Sequence, residues 1–150
     1  MEMKGEQLLP VPQQRAWDAL NDPLILRDCI PGCEFVERVS ETEFHLAMTT
    51  AIGPVKGKFK GKLTLADVDA PRAYTLQFEG QGGLAGFAKG GAQVALSPQA
   101  EGTLLSYAVN AHVGGKLAQI GSRLVDGAAK KMAAAFFARF KAQFGADGAR

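Results

Sequence analysis

The chain has 150 residues, 47% of them hydrophobic and 21% charged, a composition typical of one soluble globular domain and not of a disordered chain. Its 17 basic and 15 acidic side chains give a formal net charge of +2, which is too balanced to indicate a nucleic-acid-binding protein from charge alone. The apolar runs are shorter than a membrane span requires, and residues 1–6 lack the apolar core of a signal peptide, so we expect a cytoplasmic protein.

The beginning of the chain predicts one strand and two short helices. The strand covers residues 2–9, and the first helix covers residues 12–20. This helix can begin at Pro12, because a proline at a helix start loses no hydrogen bond. A second helix over residues 24–29 is ended by the turn Pro31-Gly32.

Two cysteines, Cys29 and Cys33, flank that turn. A metal site would need two further ligands, and the two histidines, His45 and His112, are distant in sequence. A redox motif would have two intervening residues rather than three. We therefore interpret the cysteines as reduced thiols and predict no metal site.

From residue 34 the apolar pattern repeats every second residue, which indicates strands. Short turns join them, and this favours an antiparallel meander. The predicted strands cover residues 35–39, 44–52 and 55–68, a segment marked by Tyr74, Leu76 and Phe78, residues 92–96, and a last segment around residues 105–113.

The third of these strands carries a row of lysines at every second position: Lys56, Lys58, Lys60 and Lys62. Successive side chains of a strand point to opposite faces, so one face is basic and the other is apolar. The basic face is interpreted either as a solvated outer surface or as a docking surface for an acidic partner or anionic lipid headgroups. Nucleic acid is disfavoured, because exposed aromatic residues do not alternate with the lysines.

Residues 80–91 are rich in glycine but do not form a phosphate-binding loop, since they lack a Gly-Lys-Ser/Thr motif and do not lead into a helix. We interpret them as a hairpin. The alternative is a gate, in which flexible glycines let Leu84 and Phe87 move over a cavity mouth.

The end of the chain predicts one long helix over residues 116–144, ended by Gly145 and followed by a frayed tail to Arg150. Its apolar stripe must be buried, and the concave face of the curved sheet is the only surface large enough. The sequence therefore predicts an α+β fold in which a curved antiparallel sheet wraps around a long C-terminal helix. One domain would span residues 1–150.

Between sheet and helix we expect either a ligand cavity or a closed core. Small residues at positions where a packed core would need bulk favour the cavity, as do methionines and aromatic residues. The residues predicted to line it are Phe44, Leu46, Met48, Gly57, Phe59, Gly61, Phe78, Phe87, Leu96, Tyr107, Val109, Leu124, Ala128, Met132 and Phe136.

Catalytic residues are not predicted. No Ser-His-Asp or Cys-His motif is present in a recognisable setting. By strand alternation His45 and His112 are expected to face solvent. A small enzyme of the cyclase or dehydratase kind stays open as an alternative, because a fold does not fix a function.

This order of elements resembles the helix-grip architecture of the START-like, or birch-allergen-like (Bet v 1-like, SRPBCC), superfamily. More narrowly, the chain resembles the CoxG-like family, named for the G subunit of carbon monoxide dehydrogenase. The matching segments are Met3-Lys-Gly5, Pro10-Val-Pro12 with Trp17, Asn21-Asp-Pro23, Cys29-Ile-Pro-Gly-Cys33-Glu34, Ile52-Gly-Pro-Val-Lys-Gly-Lys-Phe59 and Gly82-Gly83.

The resemblance implies a non-enzymatic accessory protein of a molybdenum hydroxylase of the carbon monoxide dehydrogenase type. It implies a bound quinone or lipid, no covalently bound cofactor, and a part in membrane recruitment or electron transfer. The implied location is cytoplasmic, with peripheral contact at the inner face of the membrane. A second hypothesis is an assembly module with a filled core that recruits the hydroxylase through surface charge.

Overall fold

The computed structural model describes residues 1–148 and contains one seven-stranded sheet. Its strands are β1 (Glu2–Leu9), β2 (Cys33–Arg38), β3 (Glu43–Ile52), β4 (Val55–Asp69), β5 (Ala73–Gln81), β6 (Phe87–Gln99) and β7 (Gly102–Gly114). The spatial order is β1-β7-β6-β5-β4-β3-β2, with every neighbouring pair antiparallel. The predicted α+β class, a curved antiparallel sheet with a long C-terminal helix, is confirmed.

The helices are α1 (Gln13–Leu20), α2 (Pro23–Cys29), α3 (Lys116–Gln119) and α4 (Ser122–Gly148), and a short 3₁₀ turn covers Gly83–Ala85. Helix α2 starts as its sequence indicates. The Asp22 carboxylate accepts a hydrogen bond from the Leu24 N–H at 2.9 Å, and Pro23 follows at the first helical position.

The prediction of one continuous helix over residues 116–144 was wrong in two respects. Gly121 adopts φ +95, in the left-handed region that glycine occupies without strain, and this separates α3 from α4. At the other end, α4 continues through Gly145 to Gly148. The last part of the predicted frayed tail, residues 149–150, lies outside the described residues.

Most of the core lies at one end of the sheet, which we call the packed end. There α1, α2 and the last turns of α4 cover the sheet, and Leu9, Phe44, Leu105 and Phe140 are all at most 2% exposed. Thr103 is also fully buried, and its hydroxyl donates to the Val11 carbonyl at 2.8 Å. Buried polar groups of this kind require a partner, and this one has it.

A smaller cluster lies at the opposite end, which we call the loop end. It contains Val55, Phe59, Ala85 and Leu117. The loop end consists of the β3–β4 turn, the 3₁₀ turn, α3 and the start of α4. A Cβ added to Gly57 would lie 2.9 Å from the Ala85 Cβ, so the 3₁₀ turn packs directly on β4.

Candidate ligand-binding cavity

A cavity of about 490 Å³ lies between the concave face of the sheet and helix α4. This volume is within the range of small-molecule sites in proteins. All seven strands except β2 contribute to its wall, together with residues of the four helices. The sheet and the long helix therefore enclose a space that their side chains do not fill.

Strand alternation decides which residues reach the cavity. On β3 the lining positions are Phe44, Leu46, Met48, Thr50 and Ile52, and each lies two residues from the next. The same rule places Phe59, Gly61, Leu63 and Leu65 of β4 on the wall and the lysines of that strand on the outside.

The face of α4 toward the cavity combines small and large residues. Ala128, Ala129 and Ala133 line its middle, and Phe136 and Phe137 line its later part. Three alanines next to one another on a buried helix face leave the space that a packed core would fill with larger side chains.

Polar groups are few in this wall. The Asn21 side-chain amide is already bonded to the Trp17 carbonyl at 2.9 Å. Burial raises the pKa of Tyr74 well above its usual value, so this phenol stays protonated and neutral. Tyr107 is stacked on Phe137 with ring centroids 5.2 Å apart. The described lining residues also include Thr50, with a hydroxyl group, and Glu79, with a carboxylate, but no lysine or arginine.

Most of the predicted lining residues meet at this cavity. Those that line it are Phe44, Leu46, Met48, Phe59, Gly61, Phe78, Tyr107, Val109, Ala128, Met132 and Phe136. Their contact with a ligand stays a prediction. Four others do not line the cavity: Gly57, Phe87, Leu96 and Leu124.

Gly57 and Phe87 do not line the cavity because of their surroundings at the loop end. The space left by Gly57 is occupied by Ala85 of the 3₁₀ turn, as described above, so it is not available to a ligand. Phe87 alternates with the lining residue Ala88, and its ring covers Gly114 on the neighbouring strand, so it lies on the other face of the sheet.

Leu96 and Leu124 do not line the cavity because of their positions in the fold. Leu96 is 3% exposed and belongs to the packed end, beyond the cavity. Leu124 is 48% exposed, whereas its neighbour Val125 lines the cavity and is 9% exposed. Leu124 shares the four-residue spacing of the lining residues Ala128, Met132 and Phe136, but this spacing drifts around a helix of 3.6 residues per turn. In the first turn of α4 it brings Leu124 to the β3–β4 turn, next to Gly53, and Val125 faces the cavity instead.

Several lining residues were not predicted. The chief ones are Met1, Met3, Thr50, Tyr74, Leu76, Ala92, Val94, Ala129, Ala133 and Phe137. Strand alternation could have identified Thr50, Leu76 and Val94. Thr50 and Leu76 lie two residues from the predicted positions Met48 and Phe78, and Val94 lies two residues from the predicted position Leu96. Ala129, Ala133 and Phe137 each directly follow a predicted residue of α4, so the helix face toward the cavity is wider than the predicted stripe of one residue per turn.

The row of lysines lies on the outer face, as the alternation predicts. Lys56, Lys58, Lys60 and Lys62 are all exposed. Lys58 pairs with Glu34 at 2.9 Å and Lys62 with Glu43 at 3.7 Å. Hydrogen bonds from Lys58 and Thr49 hold the pKa of the Glu34 carboxyl below its usual value.

The two histidines are exposed, as predicted, and neither lines the cavity. The His45 Nε2 lies 2.7 Å from a carboxylate oxygen of Glu43. His112 lies on β7 next to Ala111, which does line the cavity. The geometry therefore gives no support to a histidine acting on a substrate held in the cavity.

Both cysteines are free thiols. Burial raises the pKa of Cys29 from 9.0 to about 11, and it also raises the pKa of Cys33. Within residues 1–148 no group of three or more histidine, cysteine, aspartate or glutamate side chains is arranged to hold a metal ion. Over the same residues, no helix has the length and hydropathy needed to cross a bilayer.

Comparison with protein families identifies the chain by its sequence. The family model for the G subunit of carbon monoxide dehydrogenase (CoxG) matches residues 5–145. The chain belongs to this family. Because the match extends from β1 to the last turns of α4, every described lining residue except Met1 and Met3 lies within the CoxG region. A comparison with curated protein sequences gives no match.

Solved structures share the CoxG chain's fold over nearly its full length. A conserved protein from Geobacillus kaustophilus has a TM-score of 0.88 at 33% identity, with 95% of this chain and 94% of that chain covered. Protein Ms6760 from Mycobacterium smegmatis has a TM-score of 0.72 at 18% identity, with 97% and 92% covered. Ara h 8.0201 has a TM-score of 0.65 at 15% identity, with 95% and 96% covered.

The last two similarities concern the fold alone, which is Bet v 1-like. CoxG membership supports a ligand-binding accessory protein in general. The family name associates such proteins with carbon monoxide dehydrogenase.

Proposed function

We propose that the protein is a non-enzymatic carrier of a long apolar ligand, a quinone or a lipid, and that it serves a molybdenum hydroxylase of the carbon monoxide dehydrogenase type. The observation that carries this proposal is the cavity of about 490 Å³ with its almost entirely apolar wall. Transfer of an apolar ligand from water into such a space is favourable in proportion to the area that it buries.

Among these ligands, the wall favours a neutral quinone over a phospholipid. No lysine or arginine is among the described residues that line the cavity, so an anionic headgroup would find no counter-charge there and would pay a large desolvation cost. A quinone carbonyl needs only a hydrogen-bond donor. The hydroxyl groups of Tyr74, Tyr107 and Thr50 are donors of this kind in the wall.

The role proposed beside the hydroxylase is supported by family membership. A bound quinone would accept electrons that leave the hydroxylase and carry them toward the membrane, and the same protein would help to recruit the enzyme there. The apolar cavity supports this assignment, because a long-chain quinone has to be shielded from water whenever it is outside the bilayer.

Native mass spectrometry of the purified protein, mixed with a bacterial lipid extract, tests the ligand. We expect one retained apolar molecule and saturable binding of a menaquinone analogue. The variant Ala133→Phe places a ring in the cavity and should weaken binding at least about tenfold through steric exclusion.

The matched control for that variant is Ala138→Phe on the exposed face of α4, which should leave binding unchanged. Absence of any retained ligand in the unmodified protein, together with no binding of the analogue, would reject the carrier function. Equal binding by both variants would instead move the ligand out of this cavity.

A second candidate function is recruitment of the hydroxylase through the row of lysines. It is favoured by the exposure of all four side chains on one face. Only Lys58 and Lys62 among them form ion pairs within the described residues, so Lys56 and Lys60 are free to meet an acidic partner.

Replacing Lys56, Lys58, Lys60 and Lys62 with glutamate should abolish pull-down of the hydroxylase without unfolding the protein, because these side chains are exposed. Lys4→Glu, on the exposed side of β1, serves as the control for a general change of net charge. Unchanged pull-down by the fourfold variant would reject this candidate.

A further inference from the structure

We propose that the loop end is the surface with which the protein contacts an anionic lipid bilayer, and that the apolar ligand enters and leaves the cavity there. Only the second part, the entry and exit of the ligand at the loop end, rests on the proposed carrier function. The lipid contact itself follows from the exposed side chains and charges at this end.

Two exposed leucines lie at the loop end. Leu84, in the 3₁₀ turn, is 86% exposed, the highest value for any large apolar side chain in the described part of the chain. Leu124, in the first turn of α4, is 48% exposed, and its Cδ1 would lie 3.4 Å from a Cβ added to Gly53 in the β3–β4 turn. Apolar side chains held in water at neighbouring turns are typical of interaction surfaces.

The charges around these leucines are mainly positive. Residues 50–57, 81–87 and 113–126 of the loop end surround the two leucines. Their basic side chains are Lys56, Lys116 and Arg123, and their single acidic side chain is Asp126. All three basic residues are exposed, and none forms an ion pair within residues 1–148. Apolar side chains among basic ones match the interface of an anionic bilayer, where the former enter the acyl region and the latter meet headgroups.

The cavity wall is thin at this end. Leu117 and Phe59 line the cavity and belong to the small cluster, and Ala85 of that cluster is next to the exposed Leu84. One layer of side chains therefore separates the ligand space from the outer surface of the 3₁₀ turn.

The backbone of this wall consists of short segments that meet at glycines. A Cβ added to Gly83 or to Gly121 would meet no atom within 4 Å, and both residues have positive φ. A Cβ added to Gly115 would lie 2.8 Å from the Gly86 Cα, so the 3₁₀ turn and α3 touch through their backbones. These segments lie outside the strand ladder, so their movement would open the wall without unfolding the sheet.

A bilayer suits this surface better than an acidic protein does. Stable protein interfaces bury on the order of 800 Å² per partner around aromatic or arginine anchors, and leucine contributes little there. Two separate leucines at turns do not provide such a centre. They can insert individually into lipid, and an apolar ligand released at the same place enters the bilayer without crossing water.

Co-sedimentation with vesicles tests the proposal. The unmodified protein should bind vesicles of phosphatidylcholine mixed with phosphatidylglycerol, and it should bind pure phosphatidylcholine vesicles much more weakly. The double variant Leu84→Ser, Leu124→Ser should lose binding by at least about tenfold, given the apolar area withdrawn from lipid. The control Leu24→Ser changes a side chain that is 62% exposed on α2, outside the loop end, and should bind as the unmodified protein does.

The charges are tested separately. Lys116→Gln and Arg123→Gln should each weaken binding to the anionic vesicles about fivefold, and added salt should reduce the difference. Lys60→Gln, on the outer face of β4, is the control for loss of one positive charge and should have less effect.

Ligand binding measured in vesicle-free solution separates this proposal from the carrier function. The leucine variants should bind the menaquinone analogue as the unmodified protein does, since neither leucine lines the cavity. No binding of the unmodified protein to anionic vesicles would overturn the proposal even if the analogue binds. Retained vesicle binding by the double variant would also overturn the proposal. Loss of hydroxylase pull-down by the double variant would assign the surface to the protein partner instead of the bilayer.

Discussion

The two ends of the sheet differ in how they are built. At the packed end, aromatic rings of α4 follow one another in contact: Phe140 is stacked on Phe136 at 5.7 Å and meets Phe144 edge-on at 5.1 Å, and the Arg15 guanidinium covers Phe144. At the loop end, four residues form the buried cluster. The larger cluster of buried side chains therefore lies at the packed end and the smaller one at the loop end.

The backbone conformations of the glycines also differ between the packed end and the loop end. Five of the glycines with positive φ lie at the loop end: Gly53, Gly83, Gly86, Gly115 and Gly121. Each ends an element or reverses the chain there. The turns of the packed end, such as residues 40–42 and 100–101, are exposed too. The two ends therefore differ in the conformations of their glycines and not in the exposure of their turns.

The largest expected effect is on stability and compares the two ends directly. Phe140→Ala removes a ring that is 0% exposed and should lower the free energy of unfolding by about 3–5 kcal/mol. Phe59→Ala at the loop end borders space that is already empty, so it should cost about 2 kcal/mol, below the usual range for removal of a fully enclosed ring. Urea denaturation followed by circular dichroism measures both.

Equal losses for Phe140→Ala and Phe59→Ala would mean that the loop end carries as much of the stability as the packed end. The division described above would then be wrong. A retained ligand would stabilise both variants, so the measurement should use protein freed of bound lipid.

A smaller effect tests the glycine at the helix break. Gly121→Ala places a side chain at φ +95 and should cost about 1–2 kcal/mol, because the left-handed conformation is unfavourable for alanine. Gly127→Ala is the matched control within α4, where a Cβ meets nothing within 4 Å. It should stabilise the protein by about 0.5–1 kcal/mol, since alanine is the better helix former.

The two substitutions are chemically identical and are expected to have opposite signs. A stabilising Gly121→Ala would indicate that α3 and α4 can join into one helix, and the loop end would lose its main break. Thermal unfolding of the two variants side by side distinguishes these outcomes.

The smallest expected effect concerns the cysteines. Cys29 is fully buried in the large cluster, whereas Cys33 is partly exposed. A thiol reagent at neutral pH should therefore label Cys33 first, and it should reach Cys29 only when the packed end opens. Mass spectrometry of the labelled protein over time measures the two rates.

The raised pKa of Cys29 fixes the sign of its pH dependence. Because the folded protein disfavours the thiolate, the stability from this burial is present below pH 9.0 and is lost as the pH rises toward about 11. Labelling of Cys29 as fast as that of Cys33 at neutral pH would contradict the closed packing of this end.

The fold could be predicted from the sequence because its signals are local and repeated. Strands β3 and β4 show the alternation over their whole length, and Pro12, Pro23 and Pro31 mark the ends of helices. The break before α4 was missed, because one glycine in an alanine-rich segment does not distinguish a helix interior from a helix end.

The site could be predicted only as far as strand alternation reaches. Alternation identifies the face on which a residue lies, but it does not identify what covers that face. Gly57 lies on the correct face, yet Ala85 occupies its space, and Leu96 lies on the correct face but too close to the packed end. Contacts between segments distant in the chain decide such cases, and a sequence pattern read strand by strand does not contain them.

Strand β4 has a consequence for how this protein can be altered. Its inner positions touch the ligand space, and its outer positions, the lysines, touch solvent. Substitutions that are well separated and share no contacts combine additively, so changes on the two faces of one strand can be selected independently. Under the proposed functions, a change at Phe59 or Leu63 would alter ligand binding and a change at Lys58 or Lys60 would alter partner binding, and neither change would undo the other.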